Sequence, residues 1–405
     1  MQFKIIKKET IAIFAKSPED KELFKIYSQS EALDGTCDGI LSGIPNDTSC
    51  GFPINKSKKQ VFIKDGDDPS LVQVPREFND TFDIQSEIDS VLEAWSKGER
   101  SESIYKASSK VNELLPNKKA TDKVRKFYGS SIANFIASRR VLGALPEFML
   151  RHSNTTECMV GVNATSDQWS KVYKNLTRFG IVNMIAGDFA GFDTRMAAQI
   201  TTAAAYIIVE WYREAGMSES DIQLVKGALS DIVHPNILID GDLYRFANGN
   251  PSGNLITVQL NSICNSIMMR YCYYKMNPKI STRFAQNVSL ITYGDDNAMS
   301  VAKTCPWYNH TSCQKVFAGV DIEYTMADKG SESVPYIGID EISFLKRNFI
   351  LHETLNCIVA PIETDSIYKK FYYLKKPSES PLSNESQFSS YCDGSFREAY
   401  LHGKI

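Results

Sequence analysis

Two neighbouring carboxylates, Asp295 and Asp296, stand between two short apolar runs in VSLITYGDDNAMSV, residues 288–301. Val288 to Tyr293 is β-branched and aromatic, and Gly294-Asp295-Asp296-Asn297 is turn-forming. Ala298 to Val301 could pair back on the first run, giving a β-hairpin with acids at its tip. Side chains alternate along a strand, so a tight tip aims successive Asp residues differently, and one of the two faces a ligand more squarely. A solvated Asp-Asp-Asn turn is the commoner meaning of such a tetrapeptide, and the hairpin alone does not displace it.

A second pair of acids lies in IVNMIAGDFAGFDTRM, residues 181–196. The run from Ile181 to Ala186 predicts a buried strand with Asp188 at its end, where a carboxylate needs a partner such as a metal. Gly191 lets the chain turn, and Asp193-Thr194 is placed to open a long helix that stops near Gly216. From this segment alone, Asp193 reads as the cap of that helix. Further on, NGNPSGNLITVQLNSICN, residues 248–265, reads as a glycine-rich loop running into a helix. Gly249 and Gly253 allow close backbone approach to a ligand, and Thr257, Asn261 and Asn265 share one helical face. A buried polar stripe satisfied by neighbouring strands is the plainer reading, weakened because loop and stripe occur together.

The one strongly basic segment runs from Lys106 to Arg140 and includes Lys110, Lys118, Lys119, Lys123, Arg125, Lys126 and Arg139. After Pro116 no helical apolar stripe accompanies these charges, which suits an extended arm. Such a run is usually a solvated face, and the alternative is a clamp for phosphates. Ile44 to Pro53, IPNDTSCGFP, predicts an ordered non-helical loop leading into Lys56, Lys58, Lys59 and Lys64. Lys329 reads alone as an ordinary surface lysine. Phe344-Leu345-Lys346-Arg347 predicts a strand or turn with its apolar part inward and its cations outward.

The elements that must position these residues follow from pattern. Helices are expected around Pro18 to Leu33, over Phe82 to Trp95, and over Ser131 to Gly143 with Ile132, Phe135, Ile136 and Arg139 on one side. The residues after about 350 suit a small, mostly helical cap. At 405 residues the chain calls for two or three packed regions, and 43% hydrophobic with 23% charged content excludes wholesale disorder. No apolar run approaches the ~20 residues that span a bilayer, and no signal peptide is read, so a cytosolic setting is expected. Nine scattered cysteines without a CxxC pair read as buried thiols. A formal charge of −3 neither announces nor excludes a nucleic-acid binder, since local clustering sets the field inside a cleft.

In their order, these motifs make the chain resemble the RNA-dependent RNA polymerases of picorna-like positive-strand RNA viruses. Thr48-Ser49-Cys50-Gly51-Phe52-Pro53 is similar to the family's template-entrance motif, and Lys119 to Arg125 to its basic fingers motif. Asp188 to Asp193 is similar to DxxxxD, and Pro251-Ser252-Gly253 with Thr257 and Asn261 to SGxxxT…N. Tyr293-Gly294-Asp295-Asp296 is similar to the GDD motif, and Ala327-Asp328-Lys329 with Phe344 to Arg347 completes the series. The ordered set is far more specific than a lone GDD.

The resemblance implies an α+β right-hand polymerase fold: fingers over residues 1–143, with an N-terminal part that reads as shortened, and palm over 144–233 and 250–350. A fingers insertion over 234–249 and a thumb over 351–405 complete it. It implies template-directed RNA synthesis with two Mg²⁺ or Mn²⁺ ions held ~3.5–4 Å apart by Asp188 and Asp295, with Asp296 adjusting the nearby charge. Lys329 becomes a general acid for pyrophosphate, worth about 10²-fold.

Lys119, Lys123 and Arg125 would grip the triphosphate, with Ser252, Gly253 and Thr257 in the nucleotide-binding loop. Asp193, Ser252 and Asn261 would read the ribose hydroxyls, which reverses the local reading of Asp193 as a cap. Thr48, Ser49 and Gly51 would meet template RNA, and Lys346 and Arg347 the primer. Partners would be RNA template, primer, NTPs, a genome-linked peptide primer and other viral replication proteins, in host cytoplasm at membrane-associated replication complexes.

The chain departs from the family at Val111-Asn112-Glu113, where many relatives carry Lys-Asp-Glu. It also reads about a residue short between Glu113 and Lys123. The rival readings are a reverse transcriptase, which shares the carboxylates without needing the hydroxyl readers, and a non-catalytic RNA-binding scaffold.

Overall fold

The structure is a computed structural model, and it describes residues 9, 18–46, 48–63, 77–78, 82–110, 124–277, 282–328, 330–372, 374 and 382–403. Lys64, Lys118, Lys119, Lys123, Lys329, Lys375 and Lys376 lie outside the described residues. The chain divides into two compact units, one of Met1–Thr156 with Gly191–Met268 and the other of Glu157–Ala190 with Met269–Ile405.

The first unit is built on helices whose apolar spacing is plain in the sequence. Ile84, Ile88, Val91 and Trp95 recur at helical intervals and are the buried face of Ile84–Ser96, whose start is capped by Asp83 accepting from the Ser86 amide. Trp95 packs so closely on Glu219–Val233 that a Cβ on Gly227 would come 2.5 Å from its side chain. Its indole N–H donates to buried Asp231 at 2.8 Å. The expected helix over Ser131 to Gly143 is Ile132–Leu142, with Ser131 as its cap, and Arg139 on it is buried, its guanidinium donating to the Ala32 carbonyl at 2.6 Å. The expected helix over Pro18 to Leu33 is two pieces, a 3-10 turn Pro18–Leu23 and the helix Gln29–Asp34, because Ser28 and Glu31 form a capping box that starts the second piece afresh. A four-stranded sheet runs in the order Lys126–Gly129, Ile104–Ser109, Asn236–Ile239, Asp242–Arg245, its central pair parallel and the others antiparallel.

The second unit centres on an antiparallel sheet ordered Tyr324–Met326, Met184–Phe189, Asp296–Val301, Val288–Tyr293. Met184, Ala186, Ala298 and Ile291 pack with Trp169, Val172 and Leu176 of the helix Gln168–Leu176, and with Phe344 and Phe349. Trp169 and Phe349 stack at 4.7 Å; burying large apolar side chains like these contributes about 1.5–3 kcal/mol each. On Gly187 a Cβ would sit 2.1 Å from the Tyr324 ring, so glycine is the residue that lets this aromatic lie against the central strand.

Other expectations change in detail. The central strand begins at Met184 rather than Ile181, and Ile181 and Val182 are 47% and 60% exposed. Its ladder ends at Met184↔Ser300, and beyond it single bonds continue, from the Val301 amide to the Asn183 carbonyl at 2.9 Å and from the Ile339 amide to the Ile181 carbonyl at 2.9 Å. Asp193 does not open the long helix. Gly191, with φ +64°, caps a short turn Phe192–Arg195, Met196 turns extended, and the long helix starts separately at Ala198–Glu214. The described region after 350 is mostly helical, as expected, in Thr364–Tyr368, Lys369–Tyr372 and Asn384–Tyr400, and adds a hairpin of Ile350–His352 with Cys357–Val359 ahead of them. Cysteines 50, 158, 264, 272, 305 and 313 are buried, but Cys37 is exposed and Cys357 and Cys392 are half-buried.

Candidate active site

Strand register delivers the carboxylates of the second unit. Val288–Tyr293 and Asp296–Val301 pair along their whole length, ending at Tyr293↔Asp296, so the turn is the two residues Gly294-Asp295 and Asp296 already belongs to the returning strand. Gly294 has φ +64° and Asp295 does not enter the left-handed region, the pattern of a II′ hairpin turn with glycine first. The neighbouring ladder runs from Met184↔Ser300 to Gly187↔Asn297, and one further step of that register brings Asp188 level with Asp296. Asp188 is buried and also faces Thr325 across the next ladder, whereas Asp295 and Asp296 are half-buried. Asn297 between them and the core is fixed by the Tyr324 hydroxyl, which donates to its Oδ1 at 2.8 Å.

Among the described residues no group of three or more His, Cys, Asp or Glu side chains gathers into a metal cage. Mg²⁺ keeps several waters and takes phosphate oxygens from a substrate, so one or two carboxylates suffice to hold it. The all-oxygen donors Asp188, Asp295 and Asp296 fit that chemistry.

In the first unit a different constellation forms around Asp193. The Asn261 amide donates to Asp193 Oδ1 at 2.5 Å, and Asn250 donates to Asn261 Oδ1 at 2.8 Å and to the Thr257 carbonyl at 2.8 Å. Asn254 in turn donates to Asn250 Oδ1 at 2.7 Å, and the Asn250 amide bonds the Asp193 carbonyl at 3.2 Å. Burial pushes the Asp193 carboxyl above the ordinary aspartate range, against the opposing pull of the Asn261 amide and of the Arg125 charge. Asn250 is the member that the motifs did not name. It is 3% exposed, and its only signal in the sequence is an amide in a glycine-proline loop ahead of a polar helix face. Thr257 spends its hydroxyl inside the loop, on the Pro251 and Asn254 carbonyls at 3.1 Å each.

Ser252 and Gly253 do not join Asp193 but belong to a neighbouring pocket of about 590 Å³. Ser252 Oγ accepts from the Tyr128 amide at 3.2 Å, and Gly253 approaches the Tyr128 carbonyl so closely that a Cβ would lie 1.9 Å from it. Thr48, Ser49 and Gly51 line the same pocket. Gly51 has φ +71°, and a Cβ there would meet the Ser130 carbonyl at 2.1 Å, which explains glycine at this bend. Lys58, Lys106 and Lys110 supply positive charge, and Phe127, Tyr128 and Phe135 supply rings. Lys58 is buried, donates to Thr48 Oγ1 at 2.5 Å, and lies 5.4 Å from the Phe135 ring centre. Cations interleaved with aromatic faces suit a single-stranded nucleic acid.

Of the other sequence-derived candidates, Arg125 is described and exposed, while Lys119, Lys123 and Lys329 lie outside the described residues. Phe344 and Arg347 bracket a tight turn with Leu345 at φ +56° and Lys346 at φ +59°. Lys346 is exposed. Arg347 departs from the outward orientation expected of it: its fork grips Glu398 at 2.9 and 2.8 Å and the Ala360 carbonyl at 2.6 Å, tying the turn to the helix Asn384–Tyr400. That helix partner lies 51 residues away, beyond the reach of a local reading.

Comparison with known proteins places these features in a family. The chain is 28% identical over 402 residues to the replicase polyprotein of Drosophila C virus (strain EB), covering 94% of the chain and 22% of that polyprotein. It is 25% identical over 402 residues to the replicase polyprotein of Cricket paralysis virus, with the same coverage. With the RNA1 polyprotein of Beet ringspot virus it shares 29% over 267 residues, 65% of the chain and 12% of the polyprotein. The chain thus spans about a fifth of the length of the first two relatives. Its fold matches the Sicinivirus 3Dpol RNA dependent RNA polymerase with a TM-score of 0.75 at 18% identity, covering 99% of this chain and 81% of that one, as the expected right-hand polymerase fold requires. The family model described as viral RNA-dependent RNA polymerase matches residues 20–401, and the chain belongs to that family.

Proposed function

We propose that the chain copies RNA templates into RNA from NTPs by metal-assisted nucleotidyl transfer, in replication of a positive-strand RNA virus genome. The observation that carries the reading is the sheet register that sets Asp188 level with the hairpin bearing Asp295 and Asp296. Asp188 and Asp295 would hold the divalent ions, with Asp296 adjusting the charge beside them. When bound, Mg²⁺ or Mn²⁺ lowers the pKa of the primer 3′-OH and neutralises charge on the triphosphate and the leaving pyrophosphate.

The remaining work falls to this chain's own groups. Asp193, held by Asn261 and, through it, Asn250, accepts from a ribose hydroxyl; a nucleotide without that hydroxyl leaves buried polar groups unpaired and is rejected. Arg125, with Lys119 and Lys123, grips the triphosphate, and Ser252, Gly253 and Thr257 shape the loop that receives the nucleotide. Thr48, Ser49 and Gly51, joined by Lys58, Lys106 and Lys110, guide the template strand. Lys346 contacts the primer, while Arg347 secures the turn that presents it. Lys329 donates a proton to pyrophosphate.

In this reading the sheet of the second unit is palm, the helices and sheet around the template pocket are fingers, and the last fifty residues are thumb. A genome-linked peptide primer and other viral replication proteins are the expected partners, at membrane-associated complexes in the host cytoplasm. No helix of the described residues is long and apolar enough to cross a membrane. Asp295→Asn tests the proposal: metal-dependent elongation should be lost while RNA binding persists. Elongation at the parental rate would rule out the metal role, and absence of elongation by both proteins with RNA binding intact would favour an RNA-binding scaffold.

A further inference from the structure

Glu157 and Arg270 stand 113 residues apart in sequence, lie together in the second unit, and have no place in the chemistry above. Their side chains are 10% and 6% exposed. Arg270 Nη1 donates to Glu157 Oε2 at 2.7 Å and Nη2 to Oε1 at 2.8 Å, a planar fork closed on a carboxylate, and the guanidinium lies 4.5 Å from the Phe284 ring centre. Because desolvation offsets much of the attraction in a buried ion pair, such a pair is weak ground for a stability role and stronger ground for a geometric one.

The geometry is specific. Glu157 sits at φ +61°, a backbone region that residues with a Cβ rarely occupy unless their surroundings hold them there. Its carbonyl accepts twice from one residue, from the Thr292 amide at 2.7 Å and from Thr292 Oγ1 at 2.8 Å. The Met159 amide returns a bond to the Thr292 carbonyl at 2.9 Å, so Cys158 bridges Thr292 in parallel along the outer edge of the sheet. Thr292 is two residues before the Gly294-Asp295 turn. The side chain of Arg270, on the helix Thr257–Met276, therefore reaches the carboxylate hairpin through a single intermediate residue.

We propose that Arg270 is a positioning residue for Asp295: its fork on Glu157 holds the Glu157 carbonyl against Thr292 and so fixes where the hairpin carries its carboxylates. The proposal rests on the reading of Asp295 as a metal ligand. Arg270→Lys keeps the charge and loses the fork, Glu157→Gln keeps the shape and loses the charge, and Thr292→Val removes one of the two bonds to the Glu157 carbonyl at nearly constant volume.

In the full chain, Arg270→Lys and Glu157→Gln should raise the Mg²⁺ concentration for half-maximal elongation by about 10-fold, the scale on which groups supporting metal ligands act. Both should lower kcat while leaving KM for NTP and RNA affinity near parental values. Mn²⁺ affinity of the nucleotide-free chain, read by electron paramagnetic resonance, should weaken in parallel. Thr292→Val should move both readouts the same way by about 2-fold, and the double variant Arg270→Lys/Glu157→Gln should be no worse than the worse single, because the pair acts as one unit.

Folded variants with parental Mn²⁺ affinity and Mg²⁺ dependence would overturn the proposal, as would losses that track only the folded fraction measured by circular dichroism. Should Arg270→Lys and Glu157→Gln fail to fold, an unshifted Thr292→Val overturns it alone. Asp295→Asn run alongside separates the two claims: if that variant elongates like the parent, the metal reading has failed, and if it is inactive while the Arg270 and Glu157 variants are unshifted, only the positioning role has failed.

Discussion

The carboxylate hairpin of the second unit and the amide network of the first solve different problems with different materials. The hairpin uses register: a two-residue turn and a neighbouring ladder bring Asp188, Asp295 and Asp296 to strand ends. The network uses side-chain hydrogen bonds, with Asp193 closed by Asn261, Asn261 by Asn250, and Asn250 by Asn254. A metal ligand needs charge at a fixed place, which a sheet supplies cheaply. A hydroxyl reader needs an acceptor whose other lone pairs are already spoken for, which a chain of amides supplies. Substitutions in the two regions should therefore fail differently.

The largest effect is expected at the hairpin. Asp188→Asn and Asp295→Asn should each slow elongation by about 10³-fold, the scale of losing one preorganised charge-stabilising group, with little change in RNA affinity. Single-turnover extension on a primed template checks this, and rates within a few-fold of the parent would break the assignment.

The network should show its role in discrimination rather than rate. Asn261→Ala is expected to reduce the preference for NTP over dNTP by about 10–100-fold, and Asn250→Ala by less, since Asn250 acts through Asn261. Competition between the two nucleotides at one template position measures it. Equal discrimination in parent and variants would detach the network from ribose reading.

Arg347 and Lys346 offer a smaller contrast within the second unit. Arg347→Ala should cost about 1–3 kcal/mol of stability, less than for a fully buried pair because both partners stay in partial reach of water, and lower Tm by a few degrees. Lys346→Ala should leave Tm unchanged and weaken primer-template binding in a salt-dependent way. Equal thermal effects would argue against separate roles.

The smallest expected effect is one of pH. Burial raises the folded Asp193 carboxyl above its unfolded value, so its ionisation costs stability as pH rises through the ordinary aspartate range to the raised value, and the cost is absent below that range. Asp193→Asn keeps an acceptor for Asn261 without the charge. Its Tm should exceed the parent's at neutral pH, with the gap closing as pH falls, while ribose discrimination declines. A gap that does not change with pH would contradict the burial of this charge.

How legible each region was in the sequence follows from the same contrast. The hairpin is contiguous, so alternation and a Gly-Asp turn were enough to draw it, and the structure altered only the turn length. Asp193 and Asn261 are 68 residues apart, and local chemistry favours Asp193 as the cap of the long helix, a position that Ala197 holds instead. Asn250 and Lys58 are visible in the sequence only as one amide of a glycine-proline loop and one lysine of a basic stretch, because what distinguishes them is burial, at 3% and 6% exposed. The orientation of Arg347 is hidden for the same reason: a surface turn predicts an outward cation, and only the fold supplies Glu398. Ile181 and Val182 show the converse, an apolar run that outlasts the ladder available to it.

The most direct test of the central claim is primer extension by the purified chain on a homopolymeric RNA template, with Mg²⁺ and labelled nucleotide, comparing NTP with dNTP. Metal-dependent incorporation of the complementary NTP, strongly preferred over its deoxy counterpart, is the expected result. A preference for dNTP would contradict the account in favour of a reverse transcriptase, and RNA binding without incorporation of either would contradict it in favour of a scaffold.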